Sequence, residues 1–218
     1  MYPNFLLTLF VAASCTLPSI KISESFIKPI QVFPDESEVT YEELHDAALF
    51  DCPYSKANEE KQKIISTLID IEKSHDLPSS LRGMLLAAAC HESGYNPKAK
   101  GDRKFSKSKK KPMAIGLFQM WPWWEKAYKI DRRNPKQSAD AYLQHVKSKI
   151  EKIKYTCRYR SIERTWLSAW ATAIRAPKKG GRCGERPKFY SILKKWHKSI
   201  KEDRQADDKC YDEEPCGC

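Results

Sequence analysis

Leu81-Arg82-Gly83-Met84-Leu85-Leu86-Ala87-Ala88-Ala89-Cys90-His91-Glu92 is the stretch on which the fold turns. Leu81, Leu85, Ala88 and Glu92 follow one another at helical spacing, the repeat that lays one face of a helix against a core. The last member of that stripe is a carboxylate, so the spacing aims Glu92 inward. Ser79 or Ser80 is expected to cap the start of the helix, and Gly94 with Asn96-Pro97 to stop it, which leaves Glu92 in or beside the last turn. Burial and the negative end of the helix dipole both oppose ionisation there, so its pKa is expected to rise towards that of a general acid. A buried glutamate held by structural hydrogen bonds satisfies the same pattern.

Outward from this helix the periodicity stays helical, and a mainly α fold is expected. Residues 41–50 read as a short helix. Asn58 caps a longer one, with Glu59 and Glu60 at its positive end and Ile64, Leu68 and Ile71 on one face, stopping near Pro78. Further helices are expected near 137–154 (Tyr142, Val146, Ile150, Ile153), 161–175 (Ile162, Trp166, Ala169, Ala173) and 187–200 (Phe189, Leu193, Trp196, Ile200). Residues 15–40, with several prolines, read as a linker or extended arm.

The 218 residues, 41% hydrophobic and 31% charged, suit one globular domain with tails. The formal charge of +11 is uneven, because residues 201–218 form an acidic, cysteine-containing tail with 3 basic and 7 acidic side chains. A basic body is drawn to polyanions, whether nucleic acid, anionic lipid or bacterial wall. Lys98 to Lys111 holds eight basic residues and one acidic one, and reads either as a solvated loop or as a patch for an anionic polymer.

Residues 1–14 read as a signal peptide, with an apolar run from Phe5 to Ala13 and the small residues Ala12-Ala13-Ser14 for cleavage. Cys15 is a candidate for lipid anchoring, and the protein is expected to be periplasmic, held at an outer membrane or secreted. With Cys15 set aside, seven cysteines remain, and Cys90 is the expected free thiol because a small buried thiol packs like alanine. Cys157 with Cys183 is the favoured disulfide among the fifteen pairings open to the other six. Export and cysteines argue against a nucleic-acid partner.

Three other readings of these residues fail on geometry. The zinc-protease motif needs a second His four residues after His91, where Tyr95 stands. Cys90 and His91 point about 100° apart on a helix and cannot form a nucleophile–base pair. Cys210, Cys216 and Cys218 make no recognised zinc pattern, so neither metal nor cofactor is expected.

His91-Glu92-Ser93-Gly94-Tyr95-Asn96-Pro97 and Gly116-Leu117-Phe118-Gln119-Met120 resemble, in order and spacing, the signature segments of the lysozyme-like lytic transglycosylases and the goose-type lysozymes. Asn134-Pro135, followed by Ala141-Tyr142-Leu143, resembles a third segment of that family. The resemblance covers about residues 78–175. It implies a lysozyme-like helical catalytic domain over residues 41–200, a small β-hairpin between Lys100 and Gln119 at a sugar cleft, and cleavage of the MurNAc–GlcNAc β-1,4 bond of peptidoglycan by a monomer.

On this resemblance Glu92 is the catalytic acid, supported by Ser93, while Gln119 and Trp121 bind glycan. An amide can donate to and accept from sugar hydroxyls, and indoles stack on sugar faces. Trp121, Trp123 and Trp124 cannot all face one way, so one or two are expected at the cleft. Gly101-Asp102-Arg103 resembles a goose-type segment, which makes Asp102 the candidate second carboxylate of a hydrolase. In an inverting enzyme the two carboxyls lie about 6.5–9.5 Å apart. A lytic transglycosylase uses a single glutamate as acid and then base. Where that family commonly has Ala-Tyr-Asn-Ala-Gly, this chain reads Ala169-Trp170-Ala171-Thr172-Ala173, so Tyr142 is the alternative source of a hydroxyl. A catalytically silent, basic wall-binding protein is the competing expectation.

Overall fold

A computed structural model describes residues 38–105, 112–174 and 182–212. The signal peptide, Cys15, most of the linker, the last part of the lysine-rich stretch (106–111), Cys216 and Cys218 lie outside the described residues.

The described chain is mainly helical: α1 (Tyr41–Phe50), α2 (Glu59–Lys73), α3 (Met84–Ser93), α4 (Trp123–Tyr128), α5 (Pro135–Cys157), α6 (Ile162–Ala173) and α7 (Tyr190–Asp212). Local chemistry explains most of the starts. Thr40 and Glu43 close a reciprocal capping box on α1, Asn58 accepts from the Lys61 N–H at α2, and Ser161 accepts from the Arg164 N–H at α6. Asn134 caps α5, and Pro135 takes the first helical position, where its missing N–H costs nothing. The only sheet among the described residues is the expected hairpin, in which β1 (Lys100–Gly101) pairs antiparallel with β2 (Ala114–Ile115).

α3 is the central helix, packed against α1, α2 and α7. Every residue from Met84 to Cys90 is buried, as in a helix enclosed by a core. The stripe from Leu81 to Glu92 is thus not what orients the helix, because all its faces are covered until the last turn, where His91, Glu92 and Ser93 become half-buried. Leu81 stands outside α3, in a 3-10 turn over Ser79–Leu81.

The start of α3 corrects the expected serine cap. Gly83 (φ 85°) precedes the helix with no side-chain cap of its own. Instead the fully buried carboxylate of Glu72, from α2, accepts the N–H groups of Gly83 and, at 2.8 Å, Leu85. Two of the donors that any helix start leaves unpaired are satisfied by a neighbouring helix.

Among the described residues, two disulfides close the fold. Cys157–Cys183 is present as expected. Cys90 is not a free thiol but is bonded to Cys52. The loop after α1 runs beside the last turn of α3, an approach that only the packing of the two helices brings about. α7 runs on to Asp212, so the first part of the acidic stretch from 201 is helical. Arg204 holds that continuation to the fold, with Nε 2.6 Å from Glu43 of α1.

Candidate active site

Glu92 stands where the enclosure of α3 ends. Gly94 (φ 60°) stops the helix in the left-handed conformation, and a Cβ there would come 2.6 Å from the Tyr54 carbonyl oxygen, so only glycine lets the disulfide-held loop approach. Tyr95 (φ 64°) then turns back under the helix, its buried hydroxyl donating to the Leu86 carbonyl at 3.0 Å. Both features hold the last turn in place.

Burial pushes the Glu92 carboxyl up to about 7; the charge of Asp102 adds to the rise and that of Lys188 opposes it. Among the described residues nothing donates a hydrogen bond to it. Glu72 is also pushed up to about 7 by burial, but its charged form is held by the Gly83 and Leu85 N–H groups. One inward carboxylate is committed to structure; the other is not.

Asp102 comes to the site from the hairpin. It follows β1 in a left-handed conformation (φ 53°), is exposed, and accepts the indole N–H of Trp121 at 2.9 Å. The two candidate residues are therefore in contact with each other, and the charge of Asp102 reaches the acid. Gln119 (φ 46°) is turned to the hairpin: its amide donates to the Gly116 carbonyl at 3.0 Å, and its Oε1 lies 2.3 Å from where a Cβ on Gly101 would be. Half-buried, it shapes the turn with one part of its amide. Ser93 donates to the Ala89 carbonyl at 3.2 Å, a bond within its own helix.

Tyr142 is buried, and its hydroxyl has no hydrogen-bond partner among the described residues. Burial raises its pKa well above the usual value, and the charge of Glu92 raises it further, which places the phenol within electrostatic reach of the acid. Its ring stacks on Phe118 at 4.7 Å and meets Trp170 edge-on at 5.3 Å. From there aromatic contacts continue through Phe189 to His91 and Tyr54. This row ties the turn after β2, α5, α6, the start of α7 and the end of α3 together around Glu92. Trp170 is fully buried and offers no hydroxyl.

The three tryptophans differ in burial. Trp124 is buried, Trp121 half-buried and Trp123 exposed. Lys188, in the loop before α7, was not singled out in the sequence. Its charge acts on both Glu92 and His91. A single lysine in a lysine-rich chain carries no local signal.

No protein-family model, curated protein or solved structure matches the chain. The functional reading therefore rests on the signature segments and on the geometry around Glu92.

Proposed function

We propose that this protein cleaves the β-1,4 bond between N-acetylmuramic acid and N-acetylglucosamine in peptidoglycan, with Glu92 as general acid in a lysozyme-like domain. The observation that carries this reading is the Glu92 carboxyl itself: raised to about 7, half-buried at the end of a buried helix and, among the described residues, without a structural hydrogen bond. An acid with that pKa is still substantially protonated near neutrality, when it must give its proton away.

The proton of Glu92 goes to the glycosidic oxygen as the bond from that oxygen to C1 breaks, and positive charge develops at C1. In the transglycosylase outcome the C6 hydroxyl attacks C1 and returns its proton to the Glu92 carboxylate, giving a 1,6-anhydro sugar. In the muramidase outcome water attacks C1, and Asp102 is the carboxylate positioned to take its proton. Trp121 orients Asp102 and presents its ring to the glycan, while Tyr142 offers a buried donor beside the acid. The protein works outside the cytoplasm as a monomer, where the two disulfides persist and the basic surface favours an anionic wall over nucleic acid.

Incubating the mature protein and a Glu92→Gln variant with purified peptidoglycan, followed by mass spectrometry of the soluble fragments, tests the reading. Anhydro-muramic ends released only by the parent identify a transglycosylase, and reducing ends identify a muramidase. Binding of wall by both proteins without release of fragments sinks the enzyme and leaves a silent wall-binding protein.

A further inference from the structure

A cavity of about 190 Å³ opens between α6 and the loop before α7, lined by Tyr159, Arg164, Leu167, Ser168 and the 184–186 stretch. Its walls are cross-linked. The Cys157–Cys183 disulfide joins the end of α5 to the loop. The Tyr159 hydroxyl oxygen accepts from the Gly184 N–H and, at 3.4 Å, from the buried Ser168 hydroxyl. A phenol oxygen that takes two donors keeps its own proton to give.

The charges in this cavity are unequal. Glu185 is engaged by Arg182 at 2.9 Å. Arg186 lies over the Tyr190 ring at 5.5 Å, a contact that leaves the N–H edge of the guanidinium uncommitted. No acceptor among the described residues takes a hydrogen bond from the guanidinium of Arg164. Two guanidinium groups and a phenolic proton around one small space complement an oxyanion. Leu167 and the Tyr159 ring add an apolar wall, and the nearby charge of Glu185 disfavours a dianion. The fit is to a carboxylate on a short organic group rather than to a phosphate.

We propose that this cavity binds a carboxylate of a short peptide. The loop that lines it reaches the active site two residues later, at Lys188, whose charge acts on Glu92. On the peptidoglycan reading, on which the source of the ligand rests, the carboxylate belongs to the stem peptide of the glycan strand being cut. The protein would then favour strands that carry peptides over bare glycan.

Calorimetric titration of the full chain with a stem tetrapeptide, with its fully amidated counterpart and with inorganic phosphate tests this. The free acid is expected to bind, with the amide and phosphate at least roughly tenfold weaker. Arg164→Gln and Arg186→Gln should each weaken the free acid by about tenfold, while Glu92→Gln leaves it unchanged. Both arginines are exposed, and thermal unfolding verifies that the variants fold. No binding of the free acid, equal binding of the amide or phosphate, or full affinity in both arginine variants overturns the proposal. Cleavage without peptide binding would remove this inference and leave the proposed reaction standing; peptide binding without cleavage would do the reverse.

Discussion

The indole of Trp121 donates to the Asp102 carboxylate at 2.9 Å, joining the residue after β1 to the segment after β2. The carboxylate held in this way is the one whose charge helps to raise Glu92. Removing that charge by Asp102→Asn should lower the Glu92 pKa, and the fall of activity with rising pH should begin at lower pH. Glycan release measured from pH 4 to 9 checks this, and an unmoved profile would separate Asp102 from the acid.

Glu92→Gln is expected to reduce glycan release by about 10²–10⁴-fold. It should also stabilise the domain at high pH. The folded pKa of about 7 lies above the ordinary 4.5, so the folded state holds the proton more tightly than the unfolded state. Stability is therefore full below about pH 4.5 and declines as pH rises through about 7. The variant should match the parent at pH 4 and exceed it by roughly 1–2 kcal/mol at pH 8, after allowance for partial exposure. Denaturant unfolding at the two pH values decides, and equal stability at both would place Glu92 in an ordinary solvated setting.

Glu72 should behave in the opposite way. Glu72→Ala leaves the Gly83 and Leu85 N–H groups without their acceptor and opens a void under α3, at a cost of about 2–4 kcal/mol. Glu92→Ala should cost much less. Chemical denaturation of the two alanine variants separates the structural glutamate from the functional one.

The Cys52–Cys90 bond closes the loop after α1 onto the end of α3. Peptide mapping without reduction should recover the two cysteines in one linked fragment. The double alanine variant should lose about 2–4 kcal/mol, read as a lower unfolding midpoint. A free Cys90 in the mature protein would show that this closure does not form.

Local signals were legible where the chemistry is local. Asn58 with Glu59 and Glu60, and Asn134 with Pro135, mark helix starts because a side-chain oxygen or a fixed φ acts within three residues. Gly94 was readable as a helix stop for the same reason. The cap of α3 was not, because its acceptor lies 11 residues before Gly83, on another helix. Nor was Cys52–Cys90, since a buried cysteine has the same sequence neighbourhood whether or not a partner lies opposite. The amide of Gln119 suits a sugar ligand, yet part of it holds the hairpin, a commitment visible only once Gly116 is placed beside it.

By itself the sequence indicated the long helices and their order, favoured Cys157–Cys183 among fifteen pairings, and placed a carboxylate just before Gly94; the short α4 carried no such signal. It did not determine which inward carboxylate could serve as an acid. Glu72 follows Leu68 on α2 at the same four-residue step by which Glu92 follows Ala88, and burial raises both to about 7. What separates them is the supply of backbone N–H donors. The start of α3 presents such donors only after α2 and α3 have packed together, and there Glu72 receives them. At the other end of α3 the unpaired backbone groups are carbonyls, which cannot donate to a carboxylate, and Glu92 is left with its proton to give.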